Sequence, residues 1–257
     1  MIKAAFFDVD GTLYSHKTLR VPPSTRDAIA QLQSKGILCI IATGRHPIEL
    51  AALPLEEIGF DAYLLMNGQM MQDKDRNMIF SVPLSGKVKE VLVKHFEEQA
   101  YPSLLLEEND IYLNYSNDRV IEAQAHFNLP APKVSPAYTG NEIYQFCLYI
   151  REDEEALLAD ILDECVITRW HNYGIDLLAK GGGKMVGIQR YLDMIGITPD
   201  EIIAFGDGHN DAEMLRFAGI GVAMGNAEDD TKAVADFVTA DIDDDGIYKA
   251  LKHFELI

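Results

Sequence analysis

The stretch AAFFDVDGT, at residues 4–12, decides the fold that we expect. Its first half belongs to a predicted strand over 2–8, an almost continuous apolar run typical of strands covered on both faces of a parallel sheet. Its second half is polar and contains Asp8 and Asp10. Open α/β sheets bind ligands outside the carboxyl ends of their strands. A buried strand that ends in carboxylates therefore predicts a functional site at that edge.

The same apolar pattern returns further along the chain. The other predicted strands cover 36–43, 62–66, 202–206 and 220–224. Helical patterns separate them: Ser24 is placed to N-cap a helix that Gly36 ends, and apolar residues recur at helical spacing over 184–195, 210–218 and 229–237. Alternating strands and helices predict right-handed βαβ units. The predicted fold class is therefore α/β, with a doubly wound, Rossmann-like parallel sheet.

The middle of the chain has a different pattern. Predicted helices over 87–99, 118–127 and 154–162 occur there with strands over 103–107, 111–115, 144–150, 166–170 and 174–178. Tight turns between neighbouring strands, such as Asn109–Asp110, favour an antiparallel α+β arrangement. We therefore expect a discontinuous core domain over 1–82 and 181–257, with a second domain over 83–180 inserted into it.

Composition excludes several classes of function. The 257 residues include 22 Lys and Arg but 41 Asp and Glu, and the net charge of −19 disfavours nucleic acid as a partner. No apolar run approaches the roughly 20 residues that span a bilayer, so no membrane partner is expected. Three widely spaced cysteines, an odd number, predict reduced thiols and a cytoplasmic protein. The acidic run 241–245 is predicted to be a solvated loop, and the oligomeric state stays open.

Four polar segments follow predicted strands or open a predicted helix. They are 8–12, Thr43–Gly44–Arg45, Gly183–Lys184 and the run GDGHND at 206–211. Asp8 and Asp10 are two residues apart in extended chain, so their carboxylates share one face. Asp207 and Asp211 add two more carboxylates from another strand end. Four carboxylates without histidine or cysteine suit a hard cation, and we expect Mg²⁺ instead of Zn²⁺.

Hydrogen-bond donors and a positive charge, which complement these carboxylates, are expected at the same edge of the sheet. The Thr43 hydroxyl and the Lys184 ammonium can hold phosphoryl oxygens, and the Gly44 amide adds a further donor. Each residue alone has a simpler explanation, because a threonine after a strand is often an N-cap and a lysine is usually at the surface. Arg45 fits a substrate contact or a solvent-facing ion pair equally well. Asn67 follows a predicted strand and so could approach the site, but a role in the turn explains an asparagine at this position equally well.

In this order, DVDGT at 8–12, ATGR at 42–45, the glycine-flanked Lys184 and GDGHND at 206–211 resemble the four motifs of the haloacid dehalogenase-like hydrolase superfamily. The insertion between the second and third motifs is similar to the large α/β cap of its Cof-type subgroup. This resemblance implies a Mg²⁺-dependent phosphatase with a cap. Its substrate would be a small phosphorylated metabolite, such as a sugar phosphate, a nucleotide or a cofactor phosphate.

The resemblance also implies a role for each motif residue. Asp8 would be the nucleophile that becomes an aspartyl phosphate, and Asp10 would protonate the leaving group and then activate water. Thr43 and Lys184 would hold the transferring phosphoryl group. The metal site would use Asp8, the Asp10 carbonyl and Asp207, with Asp211 in support. Gly44, Arg45 and Asn210 would be candidate substrate-binding residues.

Three other functions fit part of the sequence. A phosphomutase would share the fold and return the phosphoryl group to a sugar. A 2-haloacid dehalogenase needs no metal, so Asp10 and the pair Asp207 and Asp211 argue against it. The third is non-enzymatic. A phosphoacceptor like a response-regulator receiver domain would use similar residue types, but it needs no insertion of about 100 residues. A phosphate-binding protein that kept the motifs is conceivable, but no motif residue is missing to indicate lost catalysis.

Overall fold

The computed structural model of the chain describes residues 1–55, 58–126 and 131–257. These residues form two compact units. The core unit comprises Met1–Arg45, Glu49–Phe80 and Lys184–Ile257, and the inserted unit comprises His46–Ile48 and Ser81–Gly183. Residues 46–48 of the inserted unit lie outside the range 83–180 predicted for the insertion. Within the described ranges, no helix is both long and apolar enough to cross a membrane.

The strands and helices alternate through most of the chain. The strands are β1 Ala4–Phe7, β2 Leu38–Ala42, β3 Ala62–Leu65, β4 Met70–Asp73, β5 Met78–Ser81, β6 Ser103–Leu106, β7 Ile111–Leu113, β8 Gln145–Leu148, β9 Cys165–His171, β10 Gly174–Ala179, β11 Ile202–Gly206, β12 Ile220–Ala223 and β13 Phe237–Val238. The α-helices are α1 Pro23–Ser34, α2 Pro47–Ala51, α3 Gly86–Glu97, α4 Asp118–His126, α5 Lys184–Ile195, α6 Ala212–Phe217, α7 Asp229–Lys232 and α8 Gly246–His253.

The core unit is built on an eight-stranded sheet with the order β13-β12-β11-β1-β2-β3-β4-β5. The strands from β13 to β3 pair in parallel, and β4 pairs antiparallel with β3. Helices α5 and α6 pack on the face that carries Phe6, Ile40 and Leu64. Cys39 points to the other face, where its thiol contacts Ile29 of α1. The predicted doubly wound α/β sheet is confirmed.

The register of this sheet determines which side chains meet at its carboxyl edge. Phe7 of β1 is level with Ile41 of β2 and with Phe205 of β11. Residues that follow these three positions must therefore lie near one another. They include Asp8, Thr43 and Asp207.

The inserted unit has an antiparallel sheet with the order β7-β6-β8-β10-β9. Apolar side chains of α3, among them Leu92 and Phe96, pack against Phe146 and Leu177 on one face of this sheet. The burial of these side chains supplies the hydrophobic core of the unit. The structure therefore agrees with the antiparallel α+β arrangement expected for the insertion.

Several local predictions were wrong. Residues 154–162 form two short 3₁₀ turns, Glu152–Leu158 and Leu162–Glu164, instead of an α-helix. The pattern over 229–237 is split between the short helix α7 and the strand β13. Strands β4 and β5 were missed because they are short and flank the polar turn at 73–77. Phe127, the predicted end of α4, lies outside the described residues.

Two predicted caps also differ. Helix α1 begins at Pro23, whose ring presets the helical φ, and the Ser24 hydroxyl donates to Asp245 Oδ1 at 2.5 Å instead of capping the helix. The acidic run is not a featureless loop. Its residues Ile242–Asp244 form a 3₁₀ turn in which the Asp241 side chain accepts a hydrogen bond from the Asp243 amide.

Candidate active site

Lys184 is a buried cation among the carboxylates at this edge of the core unit. It is the first residue of α5 and is 2% exposed. Its Nζ donates to Asp8 Oδ1 at 2.6 Å and to Asp211 Oδ1 at 2.7 Å. Burial disfavours the ammonium, but the charges of Asp211 and Asp8 outweigh it and raise the pKa of Lys184. The lysine is therefore a fixed positive charge beside Asp8.

Asp8 and Asp207 are crowded by negative charge. Asp8, Asp207 and Asp211 each offer a carboxylate oxygen, and these three oxygens lie within 4.8 Å of one another. Burial and the charge of Asp211 raise the pKa of Asp8 to about 7, although Lys184 opposes this shift. Burial and the charge of Asp8 raise the pKa of Asp207 well above its ordinary value. One ammonium does not neutralise three carboxylates, so this cluster favours an additional cation.

Asp211 is occupied by partners within the protein. Its Oδ2 accepts hydrogen bonds from the amides of Asp207 and Gly208, both at 3.0 Å, while its Oδ1 accepts from Lys184. The residue is fully buried. Asp211 therefore holds both the loop that carries Asp207 and the ammonium of Lys184 in place.

The turn after β1 holds Asp207 from the other side. The Thr12 hydroxyl donates to Asp207 Oδ1 at 2.8 Å. Gly11 has a φ of +77°, and a Cβ atom at that position would lie 2.1 Å from Asp207 Oδ2. Asn226 donates to the Gly11 carbonyl at 2.8 Å and so braces the same turn. Glycine is required at position 11 for both its backbone conformation and the close approach of a carboxylate.

Asp10 is paired with Arg45 in a geometry that the sequence did not reveal. Arg45 is 6% exposed and donates from Nε and Nη2 to the two oxygens of Asp10, at 2.7 and 2.6 Å. His16 Nε2 lies 2.8 Å from Asp10 Oδ1. Burial alone would raise the pKa of Asp10, but the hydrogen bonds from Arg45 and His16 outweigh it and lower the pKa to about 2. The Arg45 ion pair is thus buried, and the expectation of a solvent-facing one was wrong.

One nitrogen of the Arg45 guanidinium, Nη1, is not hydrogen-bonded to Asp10. It is buried and has no hydrogen-bond partner among the described residues. A buried guanidinium nitrogen without an acceptor is costly unless a ligand or water completes it. This nitrogen leaves Arg45 able to bind an anionic group while it holds Asp10.

A second group of polar residues surrounds Thr43. Its hydroxyl accepts the Arg45 amide at 3.2 Å, and its carbonyl accepts the Asn67 amide at 2.9 Å. Asn210 donates from Nδ2 to Asn67 Oδ1 at 3.0 Å. A Cβ atom on Gly44 would lie 3.1 Å from the Asn67 amide group. These contacts bring Thr43, Gly44 and Asn210 together around Asn67.

Thr12 and Asn226 belong to this arrangement but were not predicted as site residues, and Asn67 was left open between a turn residue and a residue near the site. Asn67 carried a usable signal, because it follows β3 as Asp8 follows β1. Its φ of +52° also fits the left-handed turn that its sequence suggested. Thr12 stood inside a recognised motif, but its bond to Asp207 joins residues 195 positions apart. No local pattern reports such a contact.

Comparison with known proteins identifies the family of the chain. The sequence profile of the haloacid dehalogenase-like hydrolase family matches residues 5–251. The putative phosphatase YkrA of Bacillus subtilis (strain 168) is 35% identical over 257 residues, which cover 99% of this chain and 98% of that protein. The 5-amino-6-(5-phospho-D-ribitylamino)uracil phosphatase YitU of the same organism is 30% identical and covers 96% of this chain and 95% of its own.

A solved structure extends the agreement to three dimensions. The structure of the subclass IIB sugar phosphatase BT4131 superposes with a TM-score of 0.87 at 36% identity, covering 99% of this chain and 100% of its own. The match spans the core unit, the inserted unit and all four motifs. The chain therefore belongs to the haloacid dehalogenase-like hydrolase family and is a phosphatase of its Cof-type branch.

Proposed function

We propose that this phosphatase hydrolyses a small phosphorylated metabolite with Mg²⁺, through an aspartyl phosphate on Asp8. The observation that carries the proposal is the buried contact of Asp8 with Lys184 beside two further carboxylates. A carboxylate that is fixed, desolvated and crowded by like charges is a strong nucleophile once a cation lowers its pKa.

The donor set fits Mg²⁺. Asp8 and Asp207 offer hard oxygens, and both have raised pKa values because burial and mutual repulsion disfavour their charges. Asp211 supports them through Lys184 and the Asp207 amide, since both of its oxygens already accept hydrogen bonds. The Asp10 carbonyl would complete the protein ligands. When bound, Mg²⁺ supplies positive charge that neutralises Asp8 and the phosphoryl oxygens.

In the first step, an Asp8 oxygen forms a bond to phosphorus as the bond to the leaving oxygen breaks. Lys184 and the Thr43 hydroxyl neutralise and orient the phosphoryl oxygens. The leaving alkoxide takes its proton from Asp10. In the structure Arg45 holds Asp10 as the anion through Nε and Nη2, so this role requires the pair to open and Asp10 to take up a proton from solvent water. A phosphate that binds first at Nη1 would then compete with Asp10 for the other two nitrogens and favour that opening.

In the second step, water attacks phosphorus and releases Asp8 with inorganic phosphate. Asp10 gave up its proton in the first step, so it is then the base that takes the proton from water during the attack. The Gly44 amide and Asn210 are positioned around Thr43 as further donors to the substrate. Asn67 orients Asn210 through its Oδ1.

The relatives support the class of substrate. One is a sugar phosphatase and another acts on a ribitylamino-uracil phosphate, so their substrates share a phosphate monoester on a small polar metabolite. We propose the same class here and assign the inserted unit the role of a cap that selects the leaving group. Cys39, Cys147 and Cys165 are not joined in disulfides, which suits a reducing cytoplasm.

The test is phosphate release from a panel of sugar phosphates, nucleotides, cofactor phosphates and p-nitrophenyl phosphate, with Mg²⁺ and with a chelator. The proposal predicts release that requires Mg²⁺ and stops in Asp8→Asn. Trapping of phosphate on the wild-type chain as an acid-stable, hydroxylamine-sensitive acyl phosphate would identify the intermediate. Metal-independent release, or transfer between two positions of a sugar without release, would contradict the proposal.

A further inference from the structure

The turn that follows β3 lies against three of the four motifs. The Asn67 amide donates to the Thr43 carbonyl at 2.9 Å, and the Asn67 side chain accepts a hydrogen bond from Asn210 Nδ2 at 3.0 Å. Gly68 packs against the first turn of α5, where a Cβ atom on Gly187 would lie 2.8 Å from the Gly68 Cα atom. The turn therefore reaches the second, third and fourth motifs from within the core unit.

Gln69 is the last residue of this turn. Its amide donates to the Met66 carbonyl at 3.1 Å, and the Met66 amide in turn donates to the Arg45 carbonyl at 3.1 Å. The residue is 1% exposed. Neither Oε1 nor Nε2 of its side chain has a hydrogen-bond partner among the residues that the structure describes. The backbone of Gln69 is thus joined to the second motif through Met66, while its carboxamide is buried with its hydrogen-bonding capacity unused.

A buried carboxamide without partners requires an explanation. Leaving such a group unpaired is costly, and folded proteins rarely do so unless a ligand or a buried water completes it. Arg45, which shares Met66 with Gln69, has a second buried nitrogen of this kind, Nη1. Two hydrogen-bonded segments beside the motifs therefore both carry unused polar atoms. A few converging polar groups in an otherwise apolar setting are typical of a ligand-binding site.

The chemistry of the carboxamide indicates which part of a substrate it fits. Gln69 offers two N–H donors and one carbonyl acceptor. The oxygens of a phosphate dianion only accept hydrogen bonds, so a phosphate could satisfy Nε2 but would leave Oε1 unpaired. A hydroxyl group both donates and accepts, so one or two neighbouring hydroxyls satisfy both atoms. The unused groups of Gln69 thus match the leaving group of a polyhydroxylated ester better than they match its phosphate.

We propose that Gln69 is a substrate-binding residue that selects leaving groups carrying hydroxyl groups. The inference rests on the proposed function, in which Thr43 and Lys184 already hold the phosphoryl group. Water completes the carboxamide in the free enzyme, and a hydroxyl of the leaving group replaces that water on binding. A leaving group without hydroxyls would leave the carboxamide unpaired and would therefore be disfavoured.

The test compares esters that differ in their hydroxyls. Glucose 6-phosphate and sorbitol 6-phosphate carry them, whereas cyclohexylmethyl phosphate has none, and all three have the phosphate on a primary carbon. Wild type should have a kcat/KM at least about tenfold higher for the better of the two hydroxyl-bearing esters than for cyclohexylmethyl phosphate. A wild type that hydrolyses cyclohexylmethyl phosphate as efficiently as either of them would overturn the inference.

Gln69→Met removes both polar atoms and keeps the length of the side chain. We expect the ratio of the two kcat/KM values to fall by about 10- to 50-fold, because about two hydrogen bonds to the leaving group are lost. Gln72→Met is the matched control, since Gln72 lies on β4 and its Nε2 donates to the Met70 sulfur at 3.6 Å. This control should leave the ratio within about twofold of wild type.

Two outcomes would overturn the inference at this stage. An equal loss for all esters would mean that Gln69 supports the fold or the phosphoryl group instead of the leaving group. An unchanged ratio would mean that the carboxamide binds an internal water only.

A second measurement does not depend on turnover. In an Asp8→Asn background with Mg²⁺, titration calorimetry gives the Kd of the hydroxyl-bearing esters, of cyclohexylmethyl phosphate and of inorganic phosphate. Gln69→Met should weaken the tighter-binding hydroxyl-bearing ester by about tenfold and inorganic phosphate by less than about twofold. Equal weakening of both, or wild-type side chains at position 69 that bind cyclohexylmethyl phosphate as tightly as the hydroxyl-bearing esters, would overturn the inference. Absence of phosphate release from every ester in the wild type would instead contradict the proposed function.

Discussion

Glu107 in the inserted unit and Asp8 in the core unit are both buried carboxylates, yet their surroundings differ. The Glu107 carboxylate accepts hydrogen bonds from three uncharged groups, those of Tyr112, Thr139 and Asn141. Asp8 shares a single ammonium with Asp211 and faces Asp207 as well. Hydrogen-bond donors stabilise the ionised form of a buried carboxylate such as Glu107. A carboxylate crowded by other carboxylates, such as Asp8, needs a bound cation to stabilise its charge.

This difference indicates that the buried charge of Glu107 serves stability, whereas the buried charge of Asp8 serves activity. Removing the charge of Glu107 leaves three donors without their acceptor and should cost stability. Removing a charge from the Asp8 cluster relieves repulsion and should cost activity instead. Functional sites are commonly less stable than the fold allows, because the strain serves ligand binding or chemistry. The predictions below test whether the two regions behave in these opposite ways.

Asp8→Asn should have the largest effect. The variant lacks the nucleophile, and we expect turnover to fall by at least about 10⁴-fold. Because one of three crowded charges is gone, the metal-free protein should melt at a higher temperature than wild type at pH 8. Phosphate release and thermal melting of the same preparations measure both effects. Retained turnover, or a lower melting temperature, would mean that the Asp8 carboxylate serves stability, as that of Glu107 does, and not activity.

Gly11→Ala should have the second-largest effect, a loss of about 10²- to 10³-fold in kcat/KM. The new Cβ would lie 2.1 Å from Asp207 Oδ2, so the carboxylate must move and Mg²⁺ must bind more weakly. Gly36→Ala is a matched control. Gly36 has the same φ of +77°, but a Cβ atom added there would have no neighbouring atom within 4 Å. The control should lose about 1 kcal/mol of stability and no activity, and equal activity losses in both variants would count against the argument.

The sequence was informative where one rule governs many residues. The ends of the apolar strands placed Asp8, Thr43 and Asp207 at one edge, and the sheet register brings them together. It was uninformative where a contact depends on side chains distant in the sequence. No local sequence pattern indicated that Arg45 would form an ion pair with Asp10, or that both carboxylate oxygens of Asp211 would accept hydrogen bonds from the protein.

The same limit applies to the fold. The antiparallel insertion was recognisable from its turns, but the acidic segment over 154–162 has apolar spacing that suits a helix and forms 3₁₀ turns instead. The apolar spacing of so short a segment does not distinguish the i→i+3 hydrogen bonds of a 3₁₀ turn from the i→i+4 bonds of an α-helix. Residues 46–48 belong to the inserted unit, and the bond of His46 to the Glu107 carbonyl joins residues 61 positions apart, which no local pattern indicates.

The pH dependence of stability should distinguish the two regions next. Burial and the charge of Asp211 raise the pKa of Asp8 from 3.8 to about 7. Between these values the folded protein holds a proton that the unfolded chain has lost, so the free energy of unfolding of the metal-free protein falls as pH rises from about 4 to 7. Saturating Mg²⁺ should remove most of this fall, because the cation takes the place of the proton.

Thermal melts across this pH range, with Mg²⁺ and with a chelator, measure the effect. Asp8→Asn serves as the control, because it cannot titrate and should show a flatter profile without metal. A metal-free wild type whose stability rises steadily from pH 4 to 7 would contradict the raised pKa of Asp8. It would also remove the physical basis for a cation at this site.

Glu107→Gln should destabilise the protein by about 1–3 kcal/mol, because at least one of its three donors then lacks an acceptor. The amide nitrogen of Gln would face a donor, and the change leaves the Glu107 backbone carbonyl in place for His46. Turnover of p-nitrophenyl phosphate below the melting transition should stay within about threefold of wild type. A large loss of turnover without a loss of stability would place Glu107 in the functional class with Asp8.

Thr12→Val should have the smallest effect and the most specific one. The variant keeps the shape of the side chain but removes the 2.8 Å hydrogen bond to Asp207 Oδ1, which is worth about 1.5–3 kcal/mol when the acceptor is charged. We expect about 1–2 kcal/mol of this energy to appear as weaker metal binding, a loss of about 5- to 30-fold in Mg²⁺ affinity. Titration of Mg²⁺ against turnover measures it.

Thr239→Val is the control for this last change. Thr239 is a buried threonine of the same unit whose hydroxyl donates to the Gly246 carbonyl at 2.7 Å, with no carboxylate involved. Both variants should lose similar stability, because each removes one buried hydrogen bond, but only Thr12→Val should weaken Mg²⁺ binding. If both weakened it equally, the loss would reflect general loosening of the core unit. A selective effect would show that a neutral donor orients the crowded carboxylate for its cation, as the donors around Glu107 hold a carboxylate that needs none.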